Sequence, residues 1–333
     1  MGLPTVAGDG VSKSGTRMKQ DGALGTGLRG VALGLALALP TVLPAQKTHV
    51  LVVAGLSGAP AFKRSFDGAV DAVRGAAKTR WGVADTNLIV LGEDSVATAR
   101  YAGRSTKANV GAAFLRVSRG VKPGDVVLVL LLGHGSGEGP QSKVNLPGPD
   151  ATASEYASWL APFAAQQVVF VNTATGSGDF VPVIAGPGRV VVTATRTAIE
   201  KNESEFLQHF AKALGSDDAD GDKDGRLSVL EAFRYARTEV AKSYERTNRM
   251  LTEHAVVSDS LFAARVTFGQ RANTDDPKVA ALIAERQALE SQVAALRTKK
   301  ASMSSDAYDS ELERLLLAIA EKTQAIKRAG GGS

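Results

Sequence analysis

The chain has no cysteine among its 333 residues, which excludes disulfides, zinc–thiolate sites and a cysteine nucleophile at once. Aromatic residues make up only 5%, so a core has to be built from small and branched aliphatics. No block of lysine or arginine occurs. Beyond residue 45, 35 basic residues against 32 acidic ones leave a mild +3 of the overall +5, which gives nucleic acid no electrostatic footprint. Also missing is any apolar run of the ~20 residues that a bilayer-spanning helix requires. What remains is 44% hydrophobic, enough for one sizeable globular core plus accessory segments.

The N-terminus reads as an export signal. Arg17, Lys19 and Arg29 precede a 14-residue apolar run, Gly30 to Leu43, which is followed by Pro44-Ala45-Gln46. A basic segment, a short apolar stretch and a small residue at its end fit cleavage near Ala45, and Met18 is an alternative start. The mature protein is therefore expected to begin close to Gln46 and to be periplasmic or secreted.

Five Val-rich runs follow: His49 to Leu56, Asn87 to Leu91, Asp125 to Leu132, Gln167 to Asn172 and Arg189 to Ala194. Each is apolar at successive positions, the pattern of strands buried on both faces. Helical stretches lie between them, at Ala61 to Arg80, Thr106 to Arg119 and Thr152 to Phe163. Strands alternating with helices imply right-handed crossovers and an α/β fold, a parallel sheet with helices on both faces. Sites in such sheets form outside the carboxyl ends of the strands.

Asn202 to Leu214 has Phe206, Phe210 and Leu214 on one helical face, and a second helix is expected over Val229 to Glu245. From about Asn273 the composition changes. Leu282, Leu289 and Leu296 recur every seven residues after Pro277, and Leu312, Leu315, Leu316, Ile319 and Ile326 form a second stripe. These predict an antiparallel helical hairpin over 273–329 with coiled-coil character. Two helices alone bury little, so the hairpin must pack on the main domain, on a twin or on a partner.

Between the two helices that follow the last strand runs Asp220-Gly221-Asp222-Lys223-Asp224-Gly225-Arg226-Leu227-Ser228-Val229-Leu230-Glu231. A calcium ion takes six to eight oxygens, and this spacing supplies them in the order of an EF-hand loop. Asp220, Asp222 and Asp224 present carboxylates, the Arg226 carbonyl adds an oxygen, and Ser228 offers a hydroxyl or its water. Glu231, one turn into the next helix, is placed to bind bidentately, and Gly225 permits the bend. The plainer alternative is a solvated acidic turn that caps a helix.

Two glycine-flanked loops end the third and fourth runs: Gly133-His134-Gly135-Ser136-Gly137, and Asn172-Thr173-Ala174-Thr175-Gly176-Ser177-Gly178. Neighbouring parallel strands would bring them together, with glycines letting backbone N–H groups point inward. Here the chain, over about Thr48 to Glu245, resembles the caspase–legumain clan of cysteine peptidases. In that clan an apolar strand ends in His-Gly and the next ends near Asp-x-Cys-x-Ser-Gly. The resemblance implies a caspase-like fold, with His134 as the histidine and the Gly135 N–H as the oxyanion donor. Aligning Ser177-Gly178 with the clan's Ser-Gly puts Thr175 at the cysteine position and Thr173 at the aspartate. A one-residue slide puts Ala174 at the cysteine position instead. The thiol is absent either way.

Two functions follow. One is a non-catalytic binding or scaffold relative of the peptidases, holding Ca2+ and engaging a protein or peptide partner, with self-association through the hairpin. The other is a peptide or ester hydrolase using Thr175 with His134.

Overall fold

A computed structural model describes residues 46–94, 98–268 and 276–330, together with Gly2. The expected signal segment, residues 1–45, lies outside these apart from Gly2, as does the expected boundary at Asn273.

The chain runs through β1 (Thr48–Ala54), α1 (Pro60–Thr79), β2 (Leu88–Gly92), β3 (Gly103–Arg104), α2 (Lys107–Gly120) and β4 (Val126–Leu132). Three short strands follow, β5 (Gly135–Ser136), β6 (Lys143–Val144) and β7 (Ala151–Thr152). Next come α3 (Ala153–Leu160), β8 (Gln167–Asn172), α4 (Phe180–Ile184) and β9 (Arg189–Thr193). The remainder comprises α5 (Phe206–Leu214), β10 (Leu227–Ser228), α6 (Val229–Arg246), β11 (Val256–Val257), α7 (Ser260–Arg265), β12 (Thr267–Phe268), α8 (Pro277–Thr298) and α9 (Ser305–Gly330).

The central sheet has the order β11-β9-β8-β4-β1-β2-β3. It is parallel except at β11, which pairs antiparallel with β9. All seven residues of β1 and of β4 are buried, which accounts for their unbroken aliphatic sequence: both sheet faces are covered. On one face, Phe66, Val70, Val73 and Ala77 of α1 join Phe206 and Phe210 of α5 and Phe233 and Val240 of α6. On the other, Val110, Phe114 and Val117 of α2 join Tyr156 and Leu160 of α3 and Phe180 of α4. Within α1, α2, α3 and α5 these residues recur at three- and four-residue spacing, the signature of one helix face turned to a core. Fully burying an aliphatic or Phe side chain contributes about 1.5–3 kcal/mol, so these two layers hold the sheet and its strand ends in place.

Local chemistry sets the helix starts. The Thr106 hydroxyl accepts from Asn109 N at the head of α2. Thr152 and Glu155 form a reciprocal capping box on α3. Asp276 and Pro277 open α8, the aspartate accepting from Lys278 N. Each such cap is worth about 1 kcal/mol.

Helices α8 and α9 form the hairpin. Val279 and Ile283 pack with Ile326, while Val293 and Leu296 pack with Tyr308 and Leu315. Early residues of one helix meeting late residues of the other makes the pair antiparallel. The hairpin docks on its own chain: Leu261 of α7 joins its apolar cluster, and Arg297 pairs with Asp259 at 3.0 Å. Among the described residues, no helix is long and apolar enough to cross a membrane.

Candidate functional site

The carboxyl ends of β1, β4 and β8 meet at one level, because Ala54 is in register with Leu132 and Leu131 with Asn172. The winding reverses between β1 and β4, with β2 and β3 to one side and β8 and β9 to the other. Loops leaving adjacent strands at such a reversal diverge and open a crevice. His134 stands in it. Its Nε2 donates to the Ser57 carbonyl at 3.1 Å; a carbonyl only accepts, so Nε2 carries a proton and Nδ1 is the nitrogen that could act as a base. Phe62 meets the imidazole edge-on with centroids 4.8 Å apart, and Phe66 lies at 5.9 Å. The His134 carbonyl accepts from Asn145 N at 2.9 Å, which sets the Asn145 to Asp150 segment beside the histidine.

Gly135 has no space for a side chain. A Cβ there would come 2.5 Å from the Thr175 carbonyl oxygen and 3.0 Å from that of Lys143. This close approach brings the loop after β8 against the loop after β4, and Gly135 N donates to Thr175 Oγ1 at 3.2 Å. His134, Thr173 and Thr175 line one cavity of about 230 Å³, with Leu207 of α5, Glu205 and Arg249 on its other walls. Arg249 is paired with Glu205 and lies 4.4 Å over the Tyr244 ring.

Sharing a cavity is not the same as forming a dyad. A hydroxyl nucleophile needs its base within about 2.6–3.2 Å, and among the described residues no hydrogen bond joins His134 to Thr175. The threonine is tied elsewhere, to Gly135 N, while the histidine's bond to Ser57 engages Nε2. The Thr175 oxygen therefore occupies the Gly135 N–H. The nearby hydroxyls are also engaged: Thr173 Oγ1 donates to Leu131 O at 2.8 Å, and Ser177 Oγ lies 3.2 Å from Thr195 Oγ1. Ala174, the alternative alignment of the cysteine position, is fully buried.

The acidic loop lies between α5 and α6. Gly225 has φ +76°, the left-handed bend that glycine adopts without steric cost. The carboxylates of Asp220, Asp222 and Asp224 converge, one oxygen of each lying within 4.8 Å of the others. Asp220 Oδ2 accepts from Gly225 N at 2.9 Å, while its Oδ1 is buried without a hydrogen-bond partner. Glu231 closes the turn: Oε1 accepts from Gly221 N at 3.0 Å and Asp222 N at 3.2 Å. Its Oε2 accepts from Ser228 N at 2.9 Å and Ser228 Oγ at 2.7 Å. Ser228 accepts in turn from Glu231 N, a capping box at the head of α6. Leu227 and Ser228 pair antiparallel with Phe268 and Thr267, which braces the stretch carrying Arg226.

So many carboxylates in a partly buried turn perturb one another. Burial first, and the Asp222 charge second, push the Glu231 carboxyl up to about 7. Burial also raises Asp220 and Asp222, with Asp224 adding to both. An orphaned buried carboxylate oxygen and upward-shifted neighbours are what a site short of positive charge shows. The donors are all hard oxygens, which suit calcium.

Sequence spacing did not single out Arg286, on α8. Its guanidinium ion-pairs with both Asp222 and Asp224, and Nε lies 3.4 Å from Glu290. Burial works against its charge, but the three carboxylates outweigh that and hold its pKa up. A groove of about 1020 Å³ runs alongside, walled by the loop, by Tyr235 of α6 and by Leu316 and Ile319 of α9. A signal was available: the α8 seam reads Val279, Leu282, Arg286, Leu289, Val293, Leu296, with one charge in an otherwise apolar stripe.

No family model matches the chain, and no curated protein matches it. Solved structures do. Protein GSU0716 from Geobacter sulfurreducens is similar at 13% identity and a TM-score of 0.41, over 68% of this chain and 100% of that one. The caspase drICE is similar at 11% identity and a TM-score of 0.36, over 65% of this chain and 88% of that one.

Proposed function

We propose that this is an exported, calcium-binding protein of caspase–legumain type that binds a protein or peptide partner without cleaving it. One observation carries the reading: the histidine loop and its cavity are built, while the hydroxyl at the cysteine position is held on the Gly135 N–H and no thiol exists to replace it. A crevice at the carboxyl ends of β1, β4 and β8, with Arg249 and Glu205 on its wall, suits an extended segment bearing polar side chains. In this reading Asp220, Asp222, Asp224, the Arg226 carbonyl, Ser228 and Glu231 hold a calcium ion. That ion would join α5 to α6 and so steady the wall of the crevice. Val279, Ile283, Val293, Leu296, Leu315 and Ile326 of the hairpin stripes are buried within this chain, while Leu316 and Ile319 face the groove and are where self-association through the hairpin would act.

A second reading is favoured by the shared cavity of His134 and Thr175. Rotation of Thr175 off Gly135 N would free a hydroxyl and an oxyanion donor beside His134, whose Ser57 bond uses Nε2 and leaves Nδ1 as the base for ester or peptide hydrolysis. Incubation with a hydroxyl-directed fluorophosphonate, followed by peptide mass mapping, separates the two. The binding reading expects no adduct at Thr175. An adduct there that disappears in His134→Ala would overturn it in favour of the hydrolase.

A further inference from the structure

Arg286 reaches the acidic loop from a segment that is distant in sequence and differently built. The outer oxygens of Asp222 and Asp224 both face its guanidinium, and their other oxygens are taken within the loop, Asp222 Oδ1 by Asp224 N and Asp224 Oδ1 by Arg226 N. Asp220 keeps a buried oxygen without a partner. Two of the three converging carboxylates thus share the hairpin's one guanidinium, and the third does not. Arg286 is 7% exposed, set in the α8 seam, and cannot swing clear without moving that helix.

We propose that Arg286 is an internal counter-cation for this loop, competing with a divalent ion for Asp222 and Asp224, so that ion binding and docking of α8 oppose one another. The proposal rests on the calcium reading of the loop. The competition follows from coordination. A calcium ion takes hard oxygens at 2.3–2.6 Å, and a guanidinium bonded to the same carboxylates stands where the ion's ligands must converge. Ligand and docking then obey linkage: whatever the ion loses by displacing Arg286, the hairpin loses by admitting the ion. Bound ion would release α8 from the loop and widen the groove between Tyr235, Leu316 and Ile319, exposing apolar surface. Without the ion, the hairpin stays down. The device reads divalent cation and reports it as hairpin position.

The test uses the full chain. Calcium is titrated calorimetrically into the parent, Arg286→Met and Arg286→Lys, and hydrogen exchange of α8 is followed in the parent with calcium and with chelator. We expect at least tenfold tighter calcium binding in Arg286→Met, a smaller tightening in Arg286→Lys, and faster exchange across 277–298 in the parent once calcium is added. The exchange measurement needs no variant, and Arg286→Lys retains a charge if the Met variant does not fold. Equal affinities in all three proteins with unchanged exchange would show ion and arginine bound side by side, overturning this inference and leaving the calcium reading intact. No calcium heat in any of the three, with no calcium-dependent rise in melting temperature, would overturn both.

Discussion

Arg286→Met removes a charge and keeps a stem of similar length, so it isolates the electrostatic part of hairpin docking. In calcium-free buffer the substitution leaves Asp224, 3% exposed, and Asp222 facing each other across the loop with no cation. Deleting one partner of a buried pair costs about 3–5 kcal/mol, because the surviving charge stays desolvated. Asp222 retains partial solvent access, which places the expectation at the lower end, about 3 kcal/mol. At roughly 2 °C per kcal/mol for a chain of this size, the melting temperature should fall by about 6 °C. There is a ceiling: if the hairpin undocks first, the carboxylates rehydrate and the loss stops at the docking free energy. Limited proteolysis would show that route as new cleavage near the ends of α8. A double-mutant cycle with Asp224→Asn isolates the pair itself, since removing both charges should recover stability relative to Arg286→Met alone. Melts in chelator at low salt and at about 0.5 M salt complete the assay, because exposed pairs are screened and buried ones much less so. An Arg286→Met melt within about 1 °C of the parent at both salt concentrations would refute the argument, reducing these contacts to surface pairs worth 0–1 kcal/mol.

Three further outcomes are expected. Calcium at a hundredfold excess over its Kd should raise stability by about 2.7 kcal/mol, and Asp220→Ala with Glu231→Ala should abolish the rise; identical parent melts in calcium and chelator would rule the loop out as a calcium site. Neither the parent nor His134→Ala should turn over a broad peptide and ester library, whereas Thr175→Cys, which restores a thiol of ordinary nucleophilicity, should acquire His134-dependent cleavage; robust parent turnover lost in His134→Ala would contradict the non-catalytic reading. Glu253, which accepts from Ser204 Oγ and the Glu205 and Phe206 amides, has its carboxyl raised by burial. A raised acid stabilises the fold fully below the ordinary carboxylate range and less as pH climbs through its folded value. The parent's stability margin over Glu253→Gln should therefore shrink from about pH 4.5 upward, and a margin that grows with pH in urea titrations would reverse the assignment.

The sheet was legible because its strands are buried on both faces, and that demand leaves a mark on every residue of β4. It was not legible at the edges. β3 and β11 are two residues long, too short to carry any period, and β11 starts beside the carboxyl end of β9, with Val256 opposite Thr193, and so runs antiparallel to it. The helix expected from Asn202 begins only at Phe206, since the Glu253 carboxylate takes the amides at its head. At the crevice, the pairing of β4 with β8 that the apolar runs suggested does bring His134 and Thr175 to one cavity. What spacing could not show is where each side chain spends its hydrogen bond. The rotation that puts Thr175 Oγ1 on Gly135 N and His134 Nε2 on Ser57 O depends on three loops at once, and no single segment encodes it.

Arg286 shows the same limit from the other side. A charge in an apolar heptad seam is visible in the sequence, and such residues ordinarily fix register or partner at some cost in stability. The seam alone does not say which carboxylate answers it. The answer lies more than sixty residues earlier, in a turn whose acidic spacing already implies a cation of its own. Each motif taken alone predicts an independent element: a calcium loop on one side, a self-packed hairpin on the other. Their charges make them one element. Burial and neighbouring charge push the Asp220, Asp222 and Glu231 carboxyls of the loop toward protonation, and the hairpin offers a single guanidinium where a divalent ion would carry twice the charge. If calcium displaces Arg286 as proposed, the resting contact has to be strong enough to hold the hairpin and weak enough to be lost to the ion, so the two motifs constrain each other's strength.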